Sequence, residues 1–504
     1  MLVDSACFFI KSPFHNPPRL HKSTTMGKGG DAVAGAPKLE KITWAEVQKH
    51  RTPEDAWVVY NNKVYDVSNW FEHPGGGVIF THAGDDMTDI FAAFHAPGSH
   101  NMMRKFYIGD MLDPVKDETR PKDAKQVAFE KGYRDLRSKL VMMGLFKSSK
   151  MYYLYKSCFN LGMWASACAM VYYSDDVLVH LAAALLLGLF FQQCGWLSHD
   201  YLHHQVFQKR TYGDYAGIFF GDLCQGYSVQ WWKNKHNGHH AVPNLHSSTA
   251  LAQDGDPDID TMPLLAWSLT QARSYRELTA DGKDSAVTKF FVRNQALFYF
   301  PILLLARLSW LNESFKIVWG LGAATENAAL EMEKRGLQYP LLERTAIVLH
   351  YAWVIVVSTG FGTWSIPYSI AFFLIMTCSC GLFLATVFGL GHNGMATYNA
   401  DARPDFWKLQ VTTTRNVTGG HGFPQAFVDW FCGGLQYQVD HHLFPSMPRH
   451  NLAKAHELVE SFCKEWGVKY HEADLVDGTI EVLQHLNKVS DEFVRDFVID
   501  GPTM

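Results

Sequence analysis

Two pairs of long apolar runs restrict this chain more than any other feature in it. Tyr152 to Tyr173 and Val177 to Leu197 flank the polar tip Ser174-Asp175-Asp176, and Thr345 to Phe361 and Pro367 to Leu390 flank Gly362-Thr363-Trp364-Ser365. Each run approaches the roughly 20 residues that a helix needs to cross a bilayer core, where a helix alone satisfies its backbone groups within one segment. Two helical hairpins, and so four spans, are expected. Buried helices of a large soluble bundle are the competing reading, and the pairing of runs of spanning length speaks against it. A shorter run, Phe298 to Trp310, carries Arg307 and is expected at the interface or partly inserted. Lys147 and Lys150 before the first span and Lys209 and Arg210 after the second put those flanks in the cytosol by the positive-inside rule. Both soluble ends then share that side.

The second feature is histidine. His199 and His203, then His236, His239 and His240, then Gln438 with His441 and His442 form three tight clusters, with His392 between the last two. Positions i, i+3 and i+4 share one helix face, so each cluster can aim several imidazoles at one point. A single histidine is usually a surface or satisfied core residue; three clusters on one side of the membrane are not. Imidazole binds iron, copper, nickel and zinc, and so many nitrogens exceed one tetrahedral zinc, which predicts a two-metal centre. Buried without partners, these rings would be costly, and coordination supplies the partners.

Composition agrees with a membrane protein of two to four domains: 504 residues, 47% hydrophobic and 14% aromatic. A net charge of −5 with no Lys-Arg block sets nucleic acid aside as a partner. The nine cysteines include no Cys-x-x-Cys pair, and Cys158, Cys168, Cys194, Cys378 and Cys380 sit in apolar runs, so they read as reduced small hydrophobes. Residues 1–37, rich in Pro, Gly, Lys and Ser, are expected to be disordered, with Met26 a possible start and no cleaved targeting segment.

Between Ile42 and Leu112 the pattern changes to a compact polar unit. Trp57-Val58-Val59-Tyr60, Asn61-Asn62 and Lys63-Val64-Tyr65-Asp66-Val67 predict a hairpin. Then come His73-Pro74-Gly75-Gly76-Gly77, an Asp-rich helix pattern from Asp85 to Phe91, and Phe94-His95. Here the chain resembles cytochrome b5. The resemblance implies haem b held by His73 and His95; with both axial positions filled by imidazole, such a haem carries electrons and binds no oxygen. His82 and His100 do not match the family's ligand positions.

His199-Asp200-Tyr201-Leu202-His203-His204, His236-Asn237-Gly238-His239-His240 and Gln438-Val439-Asp440-His441-His442 resemble the three histidine boxes of membrane fatty acid desaturases. Gln438 in place of the histidine that opens the third box, together with the N-terminal domain, marks the front-end group. Trp231-Trp232-Lys233-Asn234-Lys235, Asp254 to Asp260, Phe444-Pro445 and Pro448-Arg449-His450-Asn451 look like algal delta-6 acyl desaturases. The implied fold is a small α+β cytochrome b5-like domain fused to an α-helical multi-pass membrane domain of about four transmembrane helices with a cytosolic di-iron cap. The expected boundaries are 38–115 for the haem domain, 116–150 for a linker with an amphipathic helix, 151–460 for the desaturase domain and 461–504 for a cytosolic tail.

The resemblance implies two irons held by His199, His203, His236, His239, His240, His392, His441 and His442. Gln438 is a possible ligand or a residue that orients one, and His204 is an additional candidate, although the family's first box needs only His-x-x-x-His. It implies O2-dependent desaturation of an acyl-lipid or acyl-CoA substrate, with electrons from NADH through cytochrome b5 reductase, in the endoplasmic reticulum membrane with both termini cytosolic. The expected reaction is delta-6 desaturation of C18 chains (linoleic, alpha-linolenic) in long-chain polyunsaturated fatty acid synthesis. A delta-5, delta-8 or sphingoid-base desaturase or a hydroxylase would keep the fold, and a membrane haem carrier with a dead metal scaffold would change the class; intact boxes oppose the last.

Three weaker signals remain. Asp254 to Asp260 has Ile259 where a calcium loop needs glycine, so a supporting role for these carboxylates is expected. Asn312-Glu313-Ser314 and Asn416-Val417-Thr418 are glycosylation patterns on the expected cytosolic side. No His-Glu-x-x-His is present, and a hydrolytic zinc site would leave the haem without purpose.

Overall fold

Alternation along two short strands organises the N-terminal domain. Strand β1 (Leu39–Ile42), β2 (Arg51–Thr52), β3 (Asp55–Tyr60), β4 (Lys63–Asp66), β5 (Asp85–Asp86) and β6 (Tyr107–Met111) form one sheet in the order β1-β6-β4-β3-β2, with β5 paired to β3. Ala56 and Val58 face one core and Val59 and Val64 the other, as the period of two requires. The predicted hairpin is β3–β4 with Tyr60 opposite Lys63, and Asn61 and Asn62 both take positive φ (49° and 57°). That is the conformation a two-residue hairpin demands and asparagine tolerates. Helix α1 (Thr88–Phe94) closes the domain.

The computed structural model describes residues 39–96, 98–113, 116–120, 124–247, 255–278, 286–321, 336–399 and 403–496; the N-terminal extension 1–37, Met26 and Asp254 lie outside them. In the 116–150 region, α2 (Ala124–Met142) is amphipathic, burying Phe129, Tyr133, Leu136 and Leu140 at helical spacing. The membrane domain is built on α3 (Lys150–Tyr173), α4 (Val177–Leu202), α8 (Pro340–Ser358) and α9 (Ile366–His392). Between them lie α5 (Val229–Ala241), α6 (Gln295–Leu304) and α7 (Ala306–Trp319), followed by α10 (Gln438–Leu443) and α11 (Leu475–Val494). Ser149 and Asp176 cap α3 and α4 by accepting from the backbone N–H of Tyr152 and Leu178. At Gly188 of α4 an added Cβ would lie 2.2 Å from Ser379 Oγ of α9, so this crossing needs glycine.

Of the four expected spans, α4, α8 and α9 are long and apolar enough to cross a membrane. The fourth, α3, is 24 residues long, but tyrosines, Lys156 and Asn160 make it less apolar. It packs beside α4 and turns Leu154, Phe159 and Tyr172 outward.

Two expectations need correction. The run Phe298 to Trp310 is not one interfacial helix: it breaks at Leu305 into α6 and α7, and Arg307 is wholly buried. Its guanidinium donates to Gln225 O (2.7 Å) and Thr377 Oγ1 (3.2 Å) and lies 3.7 Å from the centre of the Phe191 ring, so internal acceptors and a π-face take the place of water. Nor do residues 461–496 of the expected tail run free of the domain. Helix α11, capped by Asp474, buries Val482, Leu486, Val489 and Phe493 at helical spacing, with Val482 and Leu486 in one core with Tyr299, Ile302 and Leu303 of α6.

Candidate metal centre and haem cleft

The histidine clusters meet where the C-terminal ends of α4 and α9 converge with α5 and α10. His199 sits in the last turn of α4 with His203 just beyond it; His236, His239 and His240 line one side of α5; His392 ends α9; His441 and His442 lie on α10. These eight side chains form two groups, each with nitrogens within 4.8 Å of one another: His199, His203, His236, His240 and His441, and His239, His392 and His442. All eight are buried.

Their Nε2 atoms crowd together. The separations are 3.1 Å for His199–His441, 2.9 Å for His203–His236, 3.0 Å for His236–His240, 3.1 Å for His240–His441 and 3.2 Å for His239–His392. Neighbouring ligands at right angles around one metal, each about 2.1 Å from it, stand roughly 3 Å apart. The far side of several rings fixes the tautomer. Nδ1–H of His199 donates to Asp200 Oδ1 (3.2 Å), that of His239 to Asp256 Oδ2 (2.9 Å) and that of His442 to Gln410 Oε1 (2.8 Å). Nε2 of these three rings is then a bare lone pair pointed at other nitrogens, an arrangement that a cation stabilises. Burial holds His203 down to about 3 and, with the neighbouring imidazoles, keeps His236, His240, His441 and His442 well below the ordinary histidine value. They stay neutral, as ligands must. Burial lowers His239 too, but the charge and hydrogen bond of Asp256 outweigh it and raise this ring.

Of the supporting residues, Asp256 was expected in such a role from its acidic run. It also accepts from the backbone N–H of Asn244 (2.8 Å) and of Asp258 (2.8 Å). Gln410 and Arg449 carry no signal of that role in the sequence. Arg449 holds Asp200 through Nε, while Tyr153 OH donates to the same carboxylate at 2.9 Å. Behind the third box, Asp440 accepts from Tyr470 OH (2.8 Å) and Asn416 Nδ2 (3.0 Å), so the buried Asn416 is an internal strut and offers no surface for a glycan.

Gln438 faces the smaller group. Its amide nitrogen is 2.7 Å from His392 Nε2, and its carbonyl oxygen is buried without a hydrogen-bond partner; with nitrogen and oxygen exchanged, that carbonyl turns toward the same histidines. Gly391 keeps the approach open, since a Cβ there would lie 3.1 Å from Gln438 Cγ. His204 joins neither group. It has positive φ (57°), lies at the cleft between the domains and is lowered to about 3, mainly by burial.

In the N-terminal domain the rings of His73 and His95 stand 6.1 Å apart across a cleft lined by Val78, Ile79, Ile90, Phe91 and Met103. Two metal–imidazole bonds of about 2 Å plus the two ring radii give roughly 6 Å, so the spacing suits one metal with two axial imidazoles. Nδ1–H of His73 donates to Gly76 O (3.2 Å) and that of His95 to Phe91 O (3.1 Å), so the backbone carbonyls place the proton on Nδ1 of both rings. His82 also lines the cleft but turns Nδ1 to Thr81 Oγ1 (3.0 Å).

This domain is docked on the metal centre. Phe94, next to His95, meets His240 edge-on at 5.9 Å, and Ala241, Val242 and Leu245 continue the N-terminal core. Arg134 of α2 pairs with Asp89 (2.8 Å). A second cavity, bordered by His236, His239, His392 and Gln438 of the histidine clusters, continues between Ile302, Leu303, Ala306, Trp310, Ala385 and Phe388. Its inner wall is apolar.

Residues 176–474 match the fatty acid desaturase family and residues 43–112 the cytochrome b5-like haem/steroid-binding domain family. The chain is 38% identical to an acyl-lipid (9-3)-desaturase of Physcomitrium patens, over 89% of this chain and 78% of that one. A Delta(6)-fatty-acid desaturase of Caenorhabditis elegans is 34% identical (83% and 92% covered), and a Delta(8)-fatty-acid desaturase of Helianthus annuus is 30% identical (92% and 93%). With both domains matched in order and the histidine boxes converged on one centre, the chain belongs to the fatty acid desaturase family, in the front-end group that carries a cytochrome b5 domain at its N-terminus.

Proposed function

We propose that this protein inserts a delta-6 double bond into polyunsaturated C18 acyl chains, linoleic and alpha-linolenic, on a lipid or coenzyme A carrier. The observation that carries the reading is the apolar cavity that opens on His239, His392 and Gln438, because a long unactivated acyl chain is what such a cavity accepts beside a polar metal site. His199, His203, His236, His240 and His441 hold one iron in this reading, and His239, His392 and His442 the other. Gln438 is turned to the second, directly or through water. The two irons supply an oxidant able to remove hydrogen from an unactivated methylene, since neutral imidazoles leave their positive charge largely uncompensated. His73 and His95 hold haem b, which passes electrons singly.

The protein's own work is positional. Asp200, Asp256 and Gln410 fix the rings of His199, His239 and His442. The walls between Ala306, Ala385 and Phe388 keep water from the acyl chain and set how deep it reaches, and hence which carbons lie beside the metals. In sum, the acyl chain gives up two hydrogens, O2 is reduced to two waters, and NADH supplies the other two electrons through cytochrome b5 reductase. The endoplasmic reticulum membrane, with both termini cytosolic, is the setting that suits these partners.

The test is the fatty acid profile of a host lacking the activity, fed linoleic and alpha-linolenic acids, with the intact chain and a His441→Ala variant. New delta-6 products from the intact chain alone are expected. Products at delta-8 or delta-5 would keep the reaction and refute the position. No product from a haem- and iron-loaded chain with a working electron supply would refute the reading.

A further inference from the structure

The cleft between His73 and His95 is not closed by the haem domain alone. Residues of the desaturase domain, among them His203, His204, Arg210, Lys233 and Ser446, complete its lining. Haem b brings two carboxylates, and a carboxylate at a partly buried site calls for a cation or several hydrogen-bond donors. Among the described residues, the haem domain's share of the lining contains no lysine or arginine; it is aliphatic, aromatic and methionine, with histidines and the hydroxyl of Ser99. Among the described residues, the Lys and Arg side chains lining the cleft come from the opposite domain, Arg210 and Lys233.

These two cations are not equivalent. Lys233 is already matched, with Nζ 2.5 Å from Asp214 Oδ1. Arg210 forms no ion pair with any carboxylate among the described residues. One of its nitrogens donates to Phe94 O at 3.1 Å, next to His95, which anchors the side chain at the cleft while most of its planar fork stays unused. We propose that Arg210 binds a haem carboxylate, so that the haem is held between the two domains with its carboxylate edge toward the desaturase domain. This rests on the haem reading of His73 and His95. It gives the docked arrangement a chemical role: the desaturase domain grips the group from which it is to receive electrons.

The test uses the full chain in detergent, loaded with haem. A cation beside the carboxylate disfavours the more positive ferric state, so Arg210→Gln, which can still donate to Phe94 O but has lost the charge, is expected to lower the haem midpoint potential. It should also speed haem transfer to excess apomyoglobin roughly 5-fold, the size of a partly solvated charge-assisted contact. Arg210→Lys should stay near the parent on both counts, and the gap between Gln and parent should shrink as salt is raised. An Arg210→Gln chain with the parent's potential and haem-transfer rate overturns the proposal. If Arg210→Gln yields no haem-loaded protein, Arg210→Lys decides: parent-like behaviour supports the charge, and loss of haem there too overturns it in favour of packing. A parent chain without a bis-imidazole haem spectrum would instead remove the haem reading itself.

Discussion

The buried pair Asp200–Arg449 offers the most demanding test of how the metal centre is held. Arg449 is 7% exposed and Asp200 1%. Nε of the arginine bonds Asp200 Oδ2, and its NH2 donates to Trp196 O at 2.5 Å. The other carboxylate oxygen fixes His199. Arg449→Met keeps much of the side-chain volume but leaves the carboxylate buried without its counter-charge. Breaking a buried pair from one side costs about 3–5 kcal/mol. Loss of a residue that orients a metal-binding histidine costs about 10–100-fold in metal affinity, or about 1.4–2.7 kcal/mol.

The assay is iron per chain after dialysis against a graded chelator series, paired with thermal unfolding of the metal-free protein in detergent. Arg449→Met should lose iron at lower chelator and unfold earlier. Asp200→Asn should also weaken iron binding, because an amide is a weaker acceptor for His199. The double variant D200N/R449M should be less destabilised than the sum of the two, because it leaves no lone buried charge. Strict additivity within about 0.5 kcal/mol, or parental iron binding in Arg449→Met, would show that this ion pair does not support the metal site.

Other consequences are more direct. Asp256→Asn should weaken one iron about 10–100-fold while the five-histidine group stays loaded, read as a fall from two irons per chain toward one; equal loss of both would refute the separate support of His239. Ala385→Phe should fill the apolar cavity and cut turnover on C18 chains or shift products toward shorter ones, with iron and haem content unchanged; parental turnover and products would mean that the acyl chain runs elsewhere. Burial lowers His203 and His204 to about 3 and His95 to about 4. The unfolded chain therefore binds more protons than the native one as pH falls below about 6.5, and stability of the metal- and haem-free protein should decline down to about pH 4, by at most about 1.4 kcal/mol per group per pH unit. A melting temperature that rises on acidification from pH 7 to 5.5 would contradict this sign.

Short-range pattern made much of this molecule legible. Spacings of three and four put His236, His239 and His240 on one side of α5, and Asn61-Asn62 between alternating apolar residues gave the hairpin. Val482, Leu486, Val489 and Phe493 had the same helical spacing, so the packed C-terminal helix was available to the same reasoning. What stayed hidden depends on partners far along the chain. Arg449 meets Asp200 across 249 residues, and Gln410 reaches His442 across 32. Arg307 looked interfacial because an arginine in an apolar run usually reaches for water. Its carbonyl acceptor, Gln225, lies 82 residues away at the end of another helix, a pairing that no local period encodes.

The docking of the two domains is a further arrangement that the tether alone does not decide. A covalent link raises the effective concentration of the haem domain at the metal centre whatever its orientation. Orientation comes from contacts. Arg134 and Arg403 of the larger unit meet Asp89 and Asp85, and Arg137 donates to Ala92 O at 2.6 Å. Partly exposed pairs of this kind are worth about 0–1 kcal/mol each, so they set the pose more than they hold it. The holding falls to Ala241, Val242 and Leu245, which are buried in the haem domain's own core at the end of the helix that carries His236, His239 and His240. One element therefore presents three of the clustered imidazoles and anchors the haem domain. Phe94, next to His95 in the chain, meets His240 of α5 edge-on at 5.9 Å, so a shift of α5 would alter the histidine cluster and the domain contact together.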